Sequence, residues 1–175
     1  MPIKSRIRTI PHYPKQGVMF RDITTLLKDA EGFSLAVEQL ARRYRDFSLD
    51  VVAGIEARGF ILGSALAFAL GKGFVPIRKR GKLPGRTFSA QYSLEYGVDS
   101  IEIHTDAIEA GQRVLLVDDL IATGGTALGA VELIEQSRGI VQECCFLVDL
   151  PDLGGTERLR ARGLSLYALT SFEGE

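Results

Sequence analysis

The run Arg113-Val-Leu-Leu-Val-Asp-Asp-Leu-Ile-Ala-Thr-Gly-Gly-Thr126 constrains the fold more than any other part of the chain. Its apolar start, Arg113–Val117, reads as a strand buried on both faces, the pattern of a parallel sheet. Asp118 and Asp119 follow at the strand's end, where an open α/β sheet binds its ligands. Adjacent carboxylates repel and give an apolar strand nothing. They do suit a pair of vicinal hydroxyls, each accepting hydrogen bonds from a diol. Ala122, Thr123, Gly124, Gly125 and Thr126 then form a small-residue turn into a helix over Gly125–Gln136. Gly124 and Gly125 permit positive φ and close backbone approach, so successive N–H groups can cradle an anion at the helix's positive end. Thr123 and Thr126 add hydroxyl donors. The Gly-Lys-Ser/Thr ending of a Walker A loop is missing. The whole stretch describes a sugar-phosphate pocket.

The rest of the chain repeats the strand–helix rhythm. Phe33, Val37, Leu40, Tyr44 and Phe47 recur at helical steps, which predicts a helix over 31–47. Asp50–Ile55 reads as a buried strand, Gly59–Gly71 as a helix with a glycine stop, and Phe74–Arg78 as another strand. Gln142–Leu150 and Ser165–Leu169 read as strands around a short helix at Gly155–Ala161. Residues 1–30 read as irregular. Residues 79–104 break the rhythm: a basic loop through Lys79, Arg80, Lys82 and Arg86 precedes an alternating hairpin over 88–104. An insertion of that kind at a βα connection is a natural site for a flexible lid. The expected fold is α/β: a single domain over 1–175, with a Rossmann-like parallel sheet flanked by helices, a small hood from residues 1–30, and the lid at 79–104.

Composition removes several function classes. With 175 residues and a net charge of −1, the chain has one domain's worth of core and no bulk basic field for nucleic acid. No apolar run approaches the ~20 residues of a membrane span. The first residues lack the apolar core of a signal peptide. Cys144 and Cys145 are sequence neighbours on opposite faces of a strand, not a staple or a metal site, and the expected compartment is the cytoplasm. His12 and His104 have no triad or metal context.

The stretch Val117–Thr126 resembles the phosphoribosyl pyrophosphate (PRPP) signature of the type I phosphoribosyltransferases. Gly17-Val-Met-Phe-Arg-Asp-Ile-Thr24, Gly54-Ile-Glu-Ala-Arg-Gly-Phe60, Arg78-Lys-Arg-Gly-Lys-Leu-Pro-Gly85 and Leu94-Glu-Tyr-Gly97 narrow that resemblance to the adenine phosphoribosyltransferase family. It runs from about Pro11 to the C-terminus. It implies the reaction of adenine and PRPP to AMP and pyrophosphate, with Mg²⁺ held through PRPP rather than by direct protein ligands, in a homodimer.

The resemblance also assigns residues. Asp118 and Asp119 would hold the ribose, and Ala122–Thr126 the 5′-phosphate. Arg58, Lys79 and Lys82 would grip the pyrophosphate, since arginine matches phosphate oxygens with paired donors. One lid cation could reach the neighbouring subunit's site. Glu95 would be the acid/base on the purine imidazole. Met19, Phe20 and Arg21 would form the adenine pocket with Leu120 opposite, Phe20 offering a stacking face. Backbone groups near Arg21 would read the 6-amino group, leaving a 6-oxo purine with unpaired partners. Two other readings fit part of the pattern: transfer to another nucleobase such as guanine or xanthine, and a non-catalytic PRPP sensor. The Phe20-Arg21 and Leu94-Glu95 segments oppose the first. The lack of a DNA-binding extension or basic face opposes the second.

Overall fold

The computed structural model describes residues 2–94 and 97–174. A seven-stranded sheet, in the order β5-β6-β4-β3-β7-β8-β9, forms its centre. The parallel part comprises β3 (Val51–Ile55), β4 (Gly73–Lys79), β7 (Arg113–Ile121), β8 (Ile140–Asp149) and β9 (Leu166–Ser171). β5 (Thr87–Ser93) and β6 (Val98–His104) pair antiparallel with each other, and β6 pairs antiparallel with β4.

Side-chain alternation divides the core between the two faces of the sheet. Val51, Ala53, Val114, Leu116, Cys144 and Phe146 face α4 (Gly125–Gln136), meeting Ala127, Ala130, Val131 and Ile134. Val52, Leu115, Val117, Cys145 and Leu147 face α2 (Ala30–Tyr44) and α3 (Arg58–Leu70), meeting Ala36, Leu40, Leu62 and Leu66. The two adjacent cysteines therefore lie on opposite faces, both buried and free.

Three expectations change. The 79–104 insertion is not separate from the sheet. Ala90, Tyr92, Ile101 and Ile103 are core residues, so β5 and β6 extend the sheet and make it mixed. Among the described residues of the insertion, those of the loop after β4, from Arg80 to Arg86, lie outside the strands.

Residues 1–30 are ordered rather than irregular. They form a 3-10 turn at Ile3–Arg6, a two-stranded sheet of β1 (Arg8–Pro11) with β2 (Met19–Asp22), and the one-turn α1 (Thr24–Leu27). Elements of four residues are too short to show a period. Ile3, Ile7, Ile23 and Leu26 tie this hood to the α2–α3 face.

Third, β7 does not stop at Val117. Its pairing with β3 ends there, opposite Gly54, but its pairing with β8 continues to Ile121. Asp118 and Asp119 thus lie on a strand held on one side and open on the other.

Candidate active site

That opening is the floor of a cavity of about 420 Å³, walled by the ends of β3 and β7 and the first turns of α3 and α4. Asp118, Asp119 and all of Ala122–Thr126 line it, as do Arg58, Lys79 and Leu120. A sequence separation of 61 residues closes when Arg58, in the first turn of α3, donates from Nε to Asp119 Oδ2 at 2.5 Å. Gly59 permits this approach: a Cβ there would lie 2.9 Å from Asp118 Oδ1 and 3.0 Å from the Val117 carbonyl. The Glu56–Ala57 peptide between β3 and α3 is cis.

The two carboxylates differ. Asp119 is buried beneath Arg58. Asp118 opens only onto the cavity, and desolvation together with the Asp119 charge pushes its pKa well above the ordinary carboxylate range. The Asp119 backbone N–H, donating to Asp118 Oδ1 at 2.8 Å, opposes that shift. A ligand bringing hydroxyl donors to Asp118 would relieve it.

The phosphate loop is held from behind. Gly155 N–H donates to the Ala122 carbonyl at 2.9 Å, and Arg158 Nη1 donates to the Thr123 carbonyl at 2.6 Å. In a trans peptide the N–H points opposite the C=O. With the Ala122 and Thr123 carbonyls turned to α5 (Gly155–Ala161), the N–H groups of Thr123 and Gly124 are turned toward the cavity. Gly124, at φ +85°, begins α4 and adds that helix's positive end. Gly155 and Arg158 carry no local motif, and sequence reasoning missed them.

Lys79 reaches the cavity but is engaged, donating to Asp99 Oδ2 at 2.6 Å and to the Tyr92 hydroxyl. Burial lowers its ammonium pKa; these two bonds outweigh burial and leave it raised. Lys82 sits exposed in the loop after β4, outside the cavity lining among the described residues. Glu102 fastens both stems of that loop, accepting from Gly81 N–H at 2.8 Å and from the Thr87 hydroxyl.

A second cavity, of about 550 Å³, shares Thr123 with the first. Met19 of the hood, Leu94 of the hairpin, Leu150 and Leu153 after β8, and Phe172 near the C-terminus line it. The expected base pocket divides here. Met19 lines the cavity, whereas Phe20, its neighbour on β2, points the other way, against Tyr13 at 5.1 Å and beneath the Arg58 guanidinium at 5.9 Å. Alternation along β2 forbids both from facing one ring. Arg21 turns to the C-terminal segment, donating to the Gly174 carbonyl at 3.0 Å. Leu120 lines the first cavity and not the second, where Leu150 is among the apolar residues. Leu150 was missed because its position depends on where β8 ends. Glu95 lies outside the described residues, next to Leu94.

A carboxylate pair beside an anion nest, with a second, more apolar chamber adjoining it, defines a sugar-phosphate enzyme that also takes a ring-shaped partner. The phosphoribosyl transferase domain family matches residues 24–159, and the chain belongs to the phosphoribosyltransferases. Within them it groups with the adenine phosphoribosyltransferases. The enzyme of that name from Chlorobium luteolum is 64% identical over the full length of both chains. The crystal structure of adenine phosphoribosyltransferase from Thermoanaerobacter pseudethanolicus matches with a TM-score of 0.93 at 49% identity, covering 97% of this chain and 98% of that one. The Saccharomyces cerevisiae enzyme, crystallised with adenine and an imino-altritol bisphosphate, matches with a TM-score of 0.89 at 38% identity, covering 95% and 96%.

Proposed function

We propose that this chain transfers the 5-phosphoribosyl group of PRPP to adenine, giving AMP and pyrophosphate. The observation that carries this reading is the meeting of two chemically different cavities at Thr123. The polar one has the donors and carboxylates for a ribose phosphate, and the other, lined by Met19, Leu94, Leu150, Leu153 and Phe172, offers apolar surface for a base. In the reaction the bond from N9 of adenine to C1′ forms as the bond from C1′ to pyrophosphate oxygen breaks. Charge builds on the leaving group, and Arg58 and Lys79, both lining the polar cavity, would stabilise it. The loop N–H groups hold the 5′-phosphate while Asp118 and Asp119 hold the ribose hydroxyls, so the sugar is fixed as both bonds change. Met19 and Leu150 offer the apolar surfaces between which a purine would lie. Glu95 accepts the proton that leaves the adenine imidazole ring.

Mg²⁺ belongs to the same reading. Among the described residues, no group of three or more His, Cys, Asp or Glu is placed to hold a metal, so Mg²⁺ would be held through PRPP in the cavity that Asp118 and Asp119 line. Bound that way, Mg²⁺ would neutralise charge on the pyrophosphate. We also propose a homodimer through the outer face of α3. Phe68 is 89% exposed there and Ile61, two turns earlier, 44%. An apolar helix face so open calls for a matching surface, and a second copy supplies one. Lys82 is the cation that such a partner could receive. Two free, buried cysteines suit the reducing cytoplasm.

The test is direct. The protein is incubated with PRPP, Mg²⁺ and each nucleobase in turn, and nucleotide is followed chromatographically. AMP from adenine is expected. Nucleotide from guanine or xanthine alone, or from no base at all, would overturn the reading.

A further inference from the structure

Phe172 and Gly174, near the end of the chain, line the second cavity. β9 ends at Ser171, and the segment beyond it does not leave the surface. The Phe172 N–H donates to the Asp149 carbonyl at 3.0 Å. The Gly174 N–H donates to Asp152 Oδ2 at 2.7 Å, and the Gly174 carbonyl accepts from Arg21 Nη2 at 3.0 Å. The Phe172 ring is held under two cations, with Lys4 Nζ 4.8 Å and Arg21 Cζ 4.5 Å from its centroid. These contacts join three distant parts of the chain: the hood through Lys4 and Arg21, the turn after β8 through Asp152, and the C-terminus itself. Phe172, Gly174 and Asp152 all line the cavity that also holds Met19 and Leu150.

We propose that segment 172–174 is a wall of the base site, with Phe172 a specificity-determining residue for the purine and Arg21 and Asp152 positioning residues that latch the segment in place. The proposal rests on the second cavity being the adenine site. The physical argument is enclosure. Leu94, on the hairpin side of the cavity, is itself 48% exposed, so apolar contact on a bound purine depends chiefly on the other walls. Phe172 is the one aromatic residue among those lining the cavity in the described chain. The PRPP cavity shares no residue with segment 172–174. Loss of the wall should therefore be felt by one substrate alone.

Steady-state kinetics with each substrate varied against saturating partner tests this on the full-length chain and on Phe172→Ala, Phe172→Tyr, Asp152→Ala, Asp152→Asn and a truncation after Ser171. Removing an aromatic wall or a latch bond should raise KM for adenine about 5- to 30-fold, with KM for PRPP changed less than about twofold. Phe172→Tyr and Asp152→Asn, which keep the ring and the acceptor, should return KM for adenine close to the wild-type value. Asp152 is exposed, so its variants remain informative even where the truncation does not fold. An unchanged KM for adenine in Phe172→Ala and Asp152→Ala, in an active enzyme, would overturn the wall alone. Equal rises in both KM values would overturn it as well, since they would mark general loosening. A wild-type protein that forms no AMP would instead overturn the assignment of the cavity, and the wall with it.

Discussion

Arg58 Nε lies 2.5 Å from Asp119 Oδ2, joining the first turn of α3 to the end of β7 across the mouth of the polar cavity. The cation is about half exposed and the carboxylate buried, with side-chain exposures of 48% and 9%. The pair does two things. It compensates a carboxylate that would otherwise face desolvation alone, and it holds a guanidinium where a pyrophosphate would arrive. The Phe20 ring lies 5.9 Å from that guanidinium and braces it.

Arg58→Ala should raise KM for PRPP about 10- to 100-fold, the range for a lost charge-assisted contact. Arg58→Lys should restore little of it, because an ammonium lacks the planar fork that bonds Asp119 and a phosphate together. Initial rates against PRPP decide this. Wild-type behaviour of the lysine variant would show that charge alone matters.

Asp118 sets up a trade between stability and binding. Its pKa is raised in the fold, so its carboxyl form favours the folded state. The contribution is full below the ordinary carboxylate pKa and is lost as pH rises through the raised one. At pH 7, above the ordinary carboxylate pKa, that contribution is diminished. Asp118→Asn should therefore raise Tm by a few degrees at pH 7, with the gain shrinking as pH falls toward about 4 and gone below it. The same variant should bind PRPP more weakly. Thermal melts across that pH range would refute the assignment if the gain were flat.

Asp22 makes the opposite case in the hood. Bonds from the Thr24 hydroxyl at 2.7 Å and from Arg8 hold its pKa at about 2. Its stabilisation is present above the unfolded carboxylate pKa and fades as pH drops toward about 2. Asp22→Asn should lower Tm at pH 7, and the two melting curves should converge near pH 2–3. A deficit that persisted there would mean that packing, not charge, is at stake.

Gly155→Ala tests the support behind the phosphate loop. An added Cβ would stand 2.4 Å from the Ala122 carbonyl oxygen and 2.8 Å from the Gly124 nitrogen, both backbone atoms that cannot swing away. The loop must shift, at a cost of about 1–3 kcal/mol of stability, and KM for PRPP should rise at least about tenfold. Unaltered PRPP kinetics would mean that the loop tolerates displacement.

Glu95→Gln should slow single-turnover AMP formation by about 10²–10⁴, the usual contribution of a positioned acid/base. Rapid-quench measurements on enzyme preloaded with PRPP isolate that step. An unaltered rate would remove Glu95 from the chemistry.

The gathering of Asp118, Asp119 and Ala122–Thr126 in one cavity was legible because it is local. Asp118, Asp119 and Ala122–Thr126 are consecutive, and a strand followed by a glycine turn and a helix start leaves one arrangement for them. The buried strands and the major helices were legible for the same reason: periods of 2 and 3.6 are written in neighbouring residues. The base pocket was only half legible. Met19 and Phe20 are adjacent and both apolar, and nothing in their neighbourhood says which one β2 turns toward the cavity.

By itself, then, the sequence determined the α/β alternation, the two core faces, the strand-to-loop turn at Asp118–Thr126 and the family. Tertiary structure alone decided that the hairpin completes the sheet, that Leu150 rather than Leu120 faces the apolar cavity, that Gly155 and Arg158 turn the loop's carbonyls outward, and that Gly174 is latched between Arg21 and Asp152. Each of these joins residues distant in sequence, through hydrogen bonds or shared walls that exist only once the chain has closed on itself. Local propensity cannot encode a contact whose partner is set by the path of the whole chain.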